Sequence, residues 1–489
     1  MISWPFSLKN IIYSMKRLNE LIKCKYNIPI YGIKTNSKKI KKGDLFIAVH
    51  GYNCDHHAFI SEAVANGASA IISEKKVDVD VPVIIVKDTN KALEEICLKF
   101  YNHIEKKFRF IGITGTDGKT TTSTIIYNIL KDELNCCYIG TNGLEYQQMF
   151  FKLNNTTPEM EELYNFLSIL SQAGCKTVSM EVSSEALLHR RVDKFNYDVA
   201  ILTNITEDHL NIHKNIDNYV NAKAKLFKKV KKNGICILNY DDKHAEEIRK
   251  VSRGKIYTYG KSSNCDFAIC HIKCKDMSTH FDILHKNTSY HITTNLVGEY
   301  NAYNITAAFA CALLLGLPPR TIIKRIKSIN TINGRFEQLD FGQNFTIILD
   351  YAHTENGVKN ILSTLKKLKH NKIITVIGSA GGREKQKRSA MGKITSQLSD
   401  HVIFTMDDPR NENVSDIISD LTKLIEKNNY EKEDNRENAI KKSLTMAKAG
   451  DVVAILGKGR DEYMAIKDKK VYYSDYEVIK NFFQDNEKH

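Results

Sequence analysis

Short apolar, β-prone runs recur along the chain, each closed by polar turn residues and followed by apolar positions spaced for one face of a helix. In the first hundred residues the turn Lys42-Gly43-Asp44 precedes a strand-like run at 45–49. A loop follows at 51–57, then a helical pattern at 58–66 and a second run at 68–73. The run at 108–113 ends in Thr114-Gly115-Thr116-Asp117-Gly118, and helix-spaced Ile125, Ile126, Ile129 and Leu130 come after Lys119 and Thr120. Strands are further predicted at 177–182, 199–203 and 235–239, and then at 346–350, 373–378, 401–405 and 452–456. The segment 316–333, with Pro318-Pro319, predicts a helical connection. Strand–helix alternation of this kind predicts an α/β chain with mostly parallel sheets covered by helices on both faces. Three domains are expected, at 1–105, 106–330 and 331–489, with no internal repeat or low-complexity segment.

Composition narrows the class. At 489 residues the chain is long enough for about three cores. A hydrophobic content of 42% with 26% charged residues is that of a soluble globular protein. The formal charge of +14 comes from lysines spread along the whole chain, without a concentrated basic tract, so nucleic acid is not expected as a partner. The positive field would still favour an anionic nucleotide. Eleven cysteines lie at scattered positions without paired C-x-x-C spacing, Cys136 beside Cys137 and Cys265, Cys270 and Cys274 apart. Free thiols in a reducing cytosol are expected from that pattern, rather than disulfides or a zinc site. The N-terminal stretch MISWPFSLKNIIYSMKRLNEL reads as an amphipathic start, not a signal peptide. The longest apolar runs, such as 309–317, are too short to span a bilayer. A cytoplasmic, monomeric protein is the expectation.

The stretch 108–128 carries the clearest chemistry. A strand, a glycine-containing turn and a helix N-terminus form a phosphate site, because the curled backbone points successive N–H groups at an anion and the helix dipole adds positive charge. Lys119 can reach the β- and γ-phosphates, and the Thr120 hydroxyl can ligate Mg²⁺. The strict G-x-x-x-x-G-K-[ST] pattern is missed by one place, since Ile113 occupies the position of its first glycine. The alternative is an ordinary tight turn before a helix. In parallel sheets ligands gather beyond the carboxyl ends of the strands. Glu181 with Ser183 and Ser184, Thr203 with Asn204, and Asn239 with Asp242 all fall at such ends. Glu181 is either a carboxylate for Mg²⁺ or a solvated strand-end acid. His209, in TNITEDHLNIH, is a second candidate ligand or a structural histidine. Asp55 and His57 are either catalytic or turn-forming.

Together these residues carry a family resemblance. GITGTDGKTTT, NTTPE (155–159), MEVSSEALLHRRV and TNITEDHLNIH resemble the Mur ligases of peptidoglycan synthesis, most closely the type that adds the third amino acid. The resemblance continues through YVNAKAKLF (219–227), LVGEYNAYN (296–304), GRFE (334–337), LDYAHT (349–354), GSAGGREKQKR (378–388), DDPRNE (407–412) and GKGRDEY (457–463), and so covers nearly the whole chain. It implies a small N-terminal α/β UDP-binding domain, a central P-loop ATPase-like domain and a C-terminal Rossmann-like domain. It also implies an ATP- and Mg²⁺-dependent ligase. The carboxylate of UDP-N-acetylmuramoyl-L-alanyl-D-glutamate would attack the γ-phosphate, and an amino acid would then displace phosphate from the acyl phosphate.

By that resemblance Lys119, Glu181, His209 and Lys223 are catalytic, and Thr120, Glu181, His209 and a carbamate on Lys223 hold metal. Lys225, two residues on, is expected to be a solvated helix lysine. ATP would meet Gly115, Thr116, Asp117, Gly118, Lys119, Thr120 and Thr121, with Asn301 and Asn304 nearer the adenine and Arg335, Asp350 and His353 covering the nucleotide. The UDP-substrate would meet Ser37, Thr156, Thr157, Ser183, His189 and Arg191. Glu185 stands where relatives usually carry His, and His189 near a position often filled by Gln.

The amino acid would meet Arg383, Asp407, Asp408, Pro409, Arg410, Gly457 and Asp461. Asp408 replaces the Asn of the D-N-P-R motif, while Arg460 and Asp461 replace the His and Glu of G-K-G-H-E. Two arginines suit the distal carboxylate of meso-diaminopimelate, which is preferred on charge pairing, whereas Asp408 could favour the ammonium of L-lysine or another diamine. A folylpolyglutamate- or cyanophycin-type ligase and a non-catalytic nucleotide-binding homologue are the competing readings. The N-terminal unit opposes the first, and the joint presence of Lys119, Thr120, Glu181, His209 and Lys223 opposes the second.

Overall fold

A computed structural model describes residues 15–51, 54–467 and 469–486. Most of the amphipathic N-terminal stretch, residues 1–14, lies outside the described residues, as do 52 and 53 of the 51–57 loop. Two compact units result, one from residues 1–112 with 131–198, the other from 113–130 with 199–489.

In the first unit four short parallel strands lie in chain order, Gly32–Lys34, Asp44–Ile47, Ala70–Ser73 and Val83–Ile85. The inner pair is wholly buried, as expected for parallel strands covered on both faces. Phe46 and Ile71, directly opposite in register, pack with Ile60 and Ala63 of the helix Ile60–Ala65. A second set pairs Cys136–Gly140 in parallel with Thr177–Glu181 and continues through the antiparallel hairpin Gly143–Tyr146 and Met149–Phe151. Thr177–Glu181 is buried along its length, which places the Glu181 carboxylate in the interior at the strand's carboxyl end.

The second unit holds the helix Lys119–Leu130, whose small and apolar faces are both buried, in contact with the equally buried helix Glu299–Leu314. A helix apolar nearly all round belongs in a core. Val230–Asn239 and Lys255–Gly260 run parallel, and then the chain turns to an antiparallel meander, Phe267–Lys275, Ser278–His285 and Thr288–Thr294. Past the helix Pro319–Lys327 lies a six-stranded sheet in the order Glu337–Leu339, Thr346–Asp350, Val452–Leu456, Ile373–Ile377, His401–Phe404, Tyr430–Lys432. Only its first strand is antiparallel. Alternate residues of Val452–Leu456 enter separate cores on the two faces, Val452, Ala454 and Leu456 on one and Val453 and Ile455 on the other.

The predicted strands and the helical connection are all present, with ends shifted by a residue or a few. The antiparallel meander at 267–294 and the hairpin at 143–151 are additions to the expected mostly parallel arrangement. The alternation in FAICHIKCK, apolar against His and Lys, is the signal that marks a half-exposed strand there. Among the described residues no helix is long and apolar enough to cross a membrane, and all eleven cysteines are free thiols.

One buried ion pair fastens the C-terminal layer. Arg436, at the start of the helix Arg436–Met446, donates to both oxygens of Asp475 at 2.8 and 2.7 Å, and neither side chain is exposed. Its remaining Nη2 bond goes to the Leu456 carbonyl at the end of the central strand. Removing one partner would leave the other charge buried and unpaired, so Arg436→Ala should cost about 3–5 kcal/mol in urea unfolding. Arg436→Met with Asp475→Leu should cost clearly less. Equal losses would show that packing rather than charge carries the contact.

Candidate functional site

The turn after Arg109–Thr114 is moulded by its neighbours. Gly115 has φ +155°, and a Cβ there would stand 1.9 Å from Thr203 Oγ1; Gly118 has φ +81°, and its Cβ would stand 2.5 Å from Asn304 Oδ1. Only glycine fits either place. Asn204 supports the loop from the neighbouring strand end. Its carbonyl accepts the Thr116 N–H at 2.8 Å, and its Oδ1 accepts the Asp117 N–H at 3.0 Å. Asn304 also accepts from Thr122 Oγ1, and Asn301 supports Asn304 in turn. Asn304, expected with Asn301 near the adenine, thus also buttresses the phosphate loop. Thr121 is buried in the first turn of the following helix.

Three basic side chains converge on this loop. Lys119 Nζ donates to the Gly115 and Thr116 carbonyls at 3.1 and 2.8 Å. Lys223 Nζ donates to the Gly115 carbonyl at 2.7 Å and is 1% exposed. Burial, and next the charge of Lys119, push the Lys223 ammonium well below the ordinary lysine value. The neutral amine, which such a shift favours, is the form of a lysine that reacts with carbon dioxide to give a carbamate. Lys225, expected in solvent, is half-buried, so the difference between the two lysines is one of degree and surroundings. Arg335, above the Tyr351 ring at 4.8 Å, donates to Thr120 Oγ1 at 2.9 Å.

The segment after the third-domain strand Thr346–Asp350 closes on the same loop. Asp117 accepts from Asn356 Nδ2 at 3.1 Å, while Asp350 accepts the Phe336 and Ala352 N–H groups at 2.5 and 2.7 Å. Burial raises the Asp350 carboxyl, against Arg335 and those two donors. His353 Nδ1 lies 2.8 Å from the Tyr351 carbonyl. His209, at φ +56°, is neutral, its value pushed down to about 3 by burial. Neutral imidazole is the metal-ligating form. Arg383 Nη1 lies 3.4 Å from His209 Nδ1, Lys387 pairs with Asp208 at 3.0 Å, and Glu384 accepts the Leu210 N–H. Sequence reasoning missed Asn356, Glu384 and Lys387; their contacts join segments far apart in the chain and leave no local pattern.

In the first unit Thr157 is the hub. Its hydroxyl donates to the Glu181 carbonyl at 2.8 Å and accepts the Ser183 N–H at 3.1 Å, and its carbonyl accepts from Arg191 Nη1 at 3.3 Å. Arg191 also pairs with Glu159 at 2.8 Å, leaving its buried Nε without a protein partner. Thr156 shares a hydroxyl contact with Thr141 at 3.1 Å. The Glu181 carboxylate accepts from Tyr138 Oη at 2.6 Å and the Thr141 N–H at 2.9 Å. His189 caps the short helix Ser184–Leu188 through its backbone, and Ser37 donates to Glu62 at 2.5 Å.

The last cluster sits where the sheet strands Ile373–Ile377, His401–Phe404 and Val452–Leu456 end. Gly381 leaves no room for a Cβ against the Pro409 carbonyl at 1.9 Å, and Gly457 leaves none against Asp407 Oδ2 at 2.7 Å. Arg410, at φ +50°, donates to the Gly381 carbonyl at 3.2 Å. Lys458 pairs with Asp408 at 2.8 Å and lies 3.6 Å from Asp407. Burial raises Asp461 to about 6, and Tyr351 Oη reaches it at 3.3 Å. Arg460, at the place of the motif His, is bound to Glu337 and stacked on the Tyr476 ring at 3.6 Å, away from this cluster's acids.

Three family models match successive stretches of the chain: "Mur ligase family, catalytic domain" at 29–102, "Mur ligase middle domain" at 113–312 and "Mur ligase, glutamate ligase domain" at 334–459. A UDP-N-acetylmuramoyl-L-alanyl-D-glutamate–2,6-diaminopimelate ligase of Bacillus cereus is 36% identical over 95% of this chain and 98% of its own length. The protein of that name from Aquifex aeolicus is 40% identical over 92% of this chain and 93% of its own. A solved ligase of the same name superposes with TM-score 0.65 at 27% identity, covering 97% of this chain and all of the other. The MurF ligase of Thermotoga maritima, solved with ADP, shares the fold at TM-score 0.68 and 22% identity, with 94% and 98% covered. The chain therefore belongs to the Mur ligase family of ATP-dependent ligases and has its three-domain architecture.

Proposed function

We propose that this ligase joins 2,6-diaminopimelate to the D-glutamyl carboxylate of UDP-N-acetylmuramoyl-L-alanyl-D-glutamate, using ATP and Mg²⁺. The observation that carries this reading is the convergence of Lys119, Lys223 and Arg335 on the loop 115–120, beside the cluster of Arg383 and Arg410. The names of the curated relatives supply the substrates. The three expected domains, 1–105, 106–330 and 331–489, bracket the three family matches.

The reaction follows from the residues. The loop amides and Lys119 hold the β- and γ-phosphates, and Arg335 steadies Thr120 under them. A glutamyl oxygen attacks the γ-phosphorus as the bond to ADP breaks. The amine of the amino acid then attacks the acyl carbon, phosphate leaves and the nitrogen loses a proton. Ser37, Thr156, Thr157, Ser183, His189 and Arg191 hold the nucleotide-sugar peptide, and the unspent Arg191 donor suits an anionic oxygen. Within the second unit, the Thr120 hydroxyl, neutral His209 and a carbamate on Lys223 would be the donors offered to magnesium, two of the three through hard oxygens. When bound, it would neutralise phosphate charge. In the last cluster Arg383 and Arg410 face a distal carboxylate, with Asp461 for the neighbouring ammonium.

Phosphate release with ATP, Mg²⁺, the UDP-muramoyl dipeptide and either diaminopimelate or L-lysine tests the reading directly. Turnover with diaminopimelate is expected; turnover with L-lysine alone would replace the amino acid, and silence with both would remove the assignment. Lys119→Ala should lower kcat by at least about 10²–10³ with an unchanged fold. Unchanged phosphate release would refute the phosphate-loop role. Arg410→Ala should lower kcat/KM for diaminopimelate by about 2–5 kcal/mol while KM for ATP holds, and equal loss for both would move selectivity elsewhere. With ¹³C-bicarbonate, the protein should show a carbamate carbon resonance that Lys223→Ala lacks. A spectrum without that resonance would leave Lys223 as a plain amine.

A further inference from the structure

Asp408 is where this chain departs from the D-N-P-R pattern, and the structure shows what its charge meets. Asp408 Oδ1 accepts from Lys458 Nζ at 2.8 Å and from the Ala465 N–H at 3.0 Å. Lys458 is 1% exposed, and against the burial that disfavours its charge Asp407 and Asp408 hold its ammonium above the ordinary lysine value. Ala465 lies on the strand Tyr463–Ile466, which pairs with Lys469–Tyr472 in a small hairpin. The same hairpin grips Arg410 through its backbone. The Arg410 N–H donates to the Ala465 carbonyl at 2.9 Å, and the Lys467 N–H donates to the Arg410 carbonyl at 2.9 Å. Arg410 sits in the left-handed region at φ +50°, a conformation an arginine keeps only where its surroundings impose it.

We propose that the Asp408–Lys458 pair is a specificity-determining positioning element of the amino-acid pocket, a role that rests on the diaminopimelate reading above. It acts in two ways. Lys458 takes up the negative charge that Asp408 would otherwise offer to a substrate ammonium. Asp408 in turn fastens the hairpin that fixes the Arg410 backbone, so the guanidinium is aimed at a carboxylate. An acid introduced in place of an amide thus leaves the pocket selective for a carboxylate-bearing side chain, because a buried lysine answers it.

The two effects separate by substitution. Wild type, Lys458→Met, Asp408→Asn, Asp408→Ala and Lys458→Met with Asp408→Asn are compared by kcat/KM for diaminopimelate and for L-lysine, KM for ATP, and urea unfolding. Lys458→Met exposes the Asp408 charge and should lower the diaminopimelate-to-lysine preference by about tenfold, one pKa unit's worth of interaction. Adding Asp408→Asn should restore that preference. Asp408→Ala should raise KM for diaminopimelate about tenfold, the same one-unit scale, with KM for ATP unchanged. Asp408→Asn, whose side-chain oxygen still accepts the Ala465 N–H, should raise it clearly less than Asp408→Ala does. A merely structural pair would lower kcat/KM for both amino acids in parallel, and that outcome, or a double variant that fails to regain preference, overturns the proposal. Should Lys458→Met not fold, the Asp408→Ala and Asp408→Asn comparison decides alone. A wild-type enzyme without preference for diaminopimelate would instead overturn the parent reading.

Discussion

A phosphate loop needs its backbone amides turned inward, and the curl that does so cannot hold itself. In this chain it is imposed from outside. Thr203 and Asn204 press on Gly115 from one strand end, Asn304 presses on Gly118 from a buried helix, and Lys223 draws the Gly115 carbonyl outward at 2.7 Å. Three elements from distant parts of the chain must therefore be packed before the loop has its shape. That dependence explains why the two helices Lys119–Leu130 and Glu299–Leu314 are buried so fully: the helix that starts the phosphate site is also the centre of its unit.

Electrostatics then sets what the moulded loop can do. Lys119 and Lys223 both reach the Gly115 carbonyl, and two ammonium groups so close in the interior repel. Burial first, and the charge of Lys119 next, push the more deeply buried Lys223 ammonium well below the ordinary lysine value. The same economy of charge recurs at His209, kept neutral by burial with Arg383 beside it. Burial here bears on chemical form as well as stability: it favours the uncharged form of both groups, and a neutral imidazole is what metal ligation requires.

Much of this was legible in the chain. Strands with period-two or continuous apolar runs appear where the pattern puts them, because burial on one or both faces leaves a direct trace in composition. Gly115, Gly118, Lys119 and Thr120 stand out because a phosphate turn constrains neighbours in sequence. Other features left no such trace. Asn356 on Asp117, Glu384 on the Leu210 N–H and Lys458 on Asp408 are pairings over long separations, each made by a polar side chain of a type that is ordinarily solvated. The meander at 267–294 was missed for a different reason. Phe267, Ile269, Phe281, Ile283 and Ile292 are buried strand formers there, but the His, Lys, Asp and Thr residues among them break up the apolar runs.

The amino-acid cluster shows how a motif can change while its purpose is kept. Counted by sequence, DDPR and GKGRDE add an acid and a base to the familiar pattern, and neither sign of substrate is favoured. Counted by contact, Arg460 is removed to Glu337 and Tyr476, and Asp408 is consumed by Lys458. On the proposed reading, what remains toward the pocket is Arg383, Arg410 and Asp461, the complement of a side chain that ends in one carboxylate and one ammonium. A diamine would meet the acid and be opposed by the arginines, whereas an amino acid with a second zwitterionic centre satisfies both. Asp408 and Arg460 are answered by ion pairs inside the fold, and only the folded contacts reveal that.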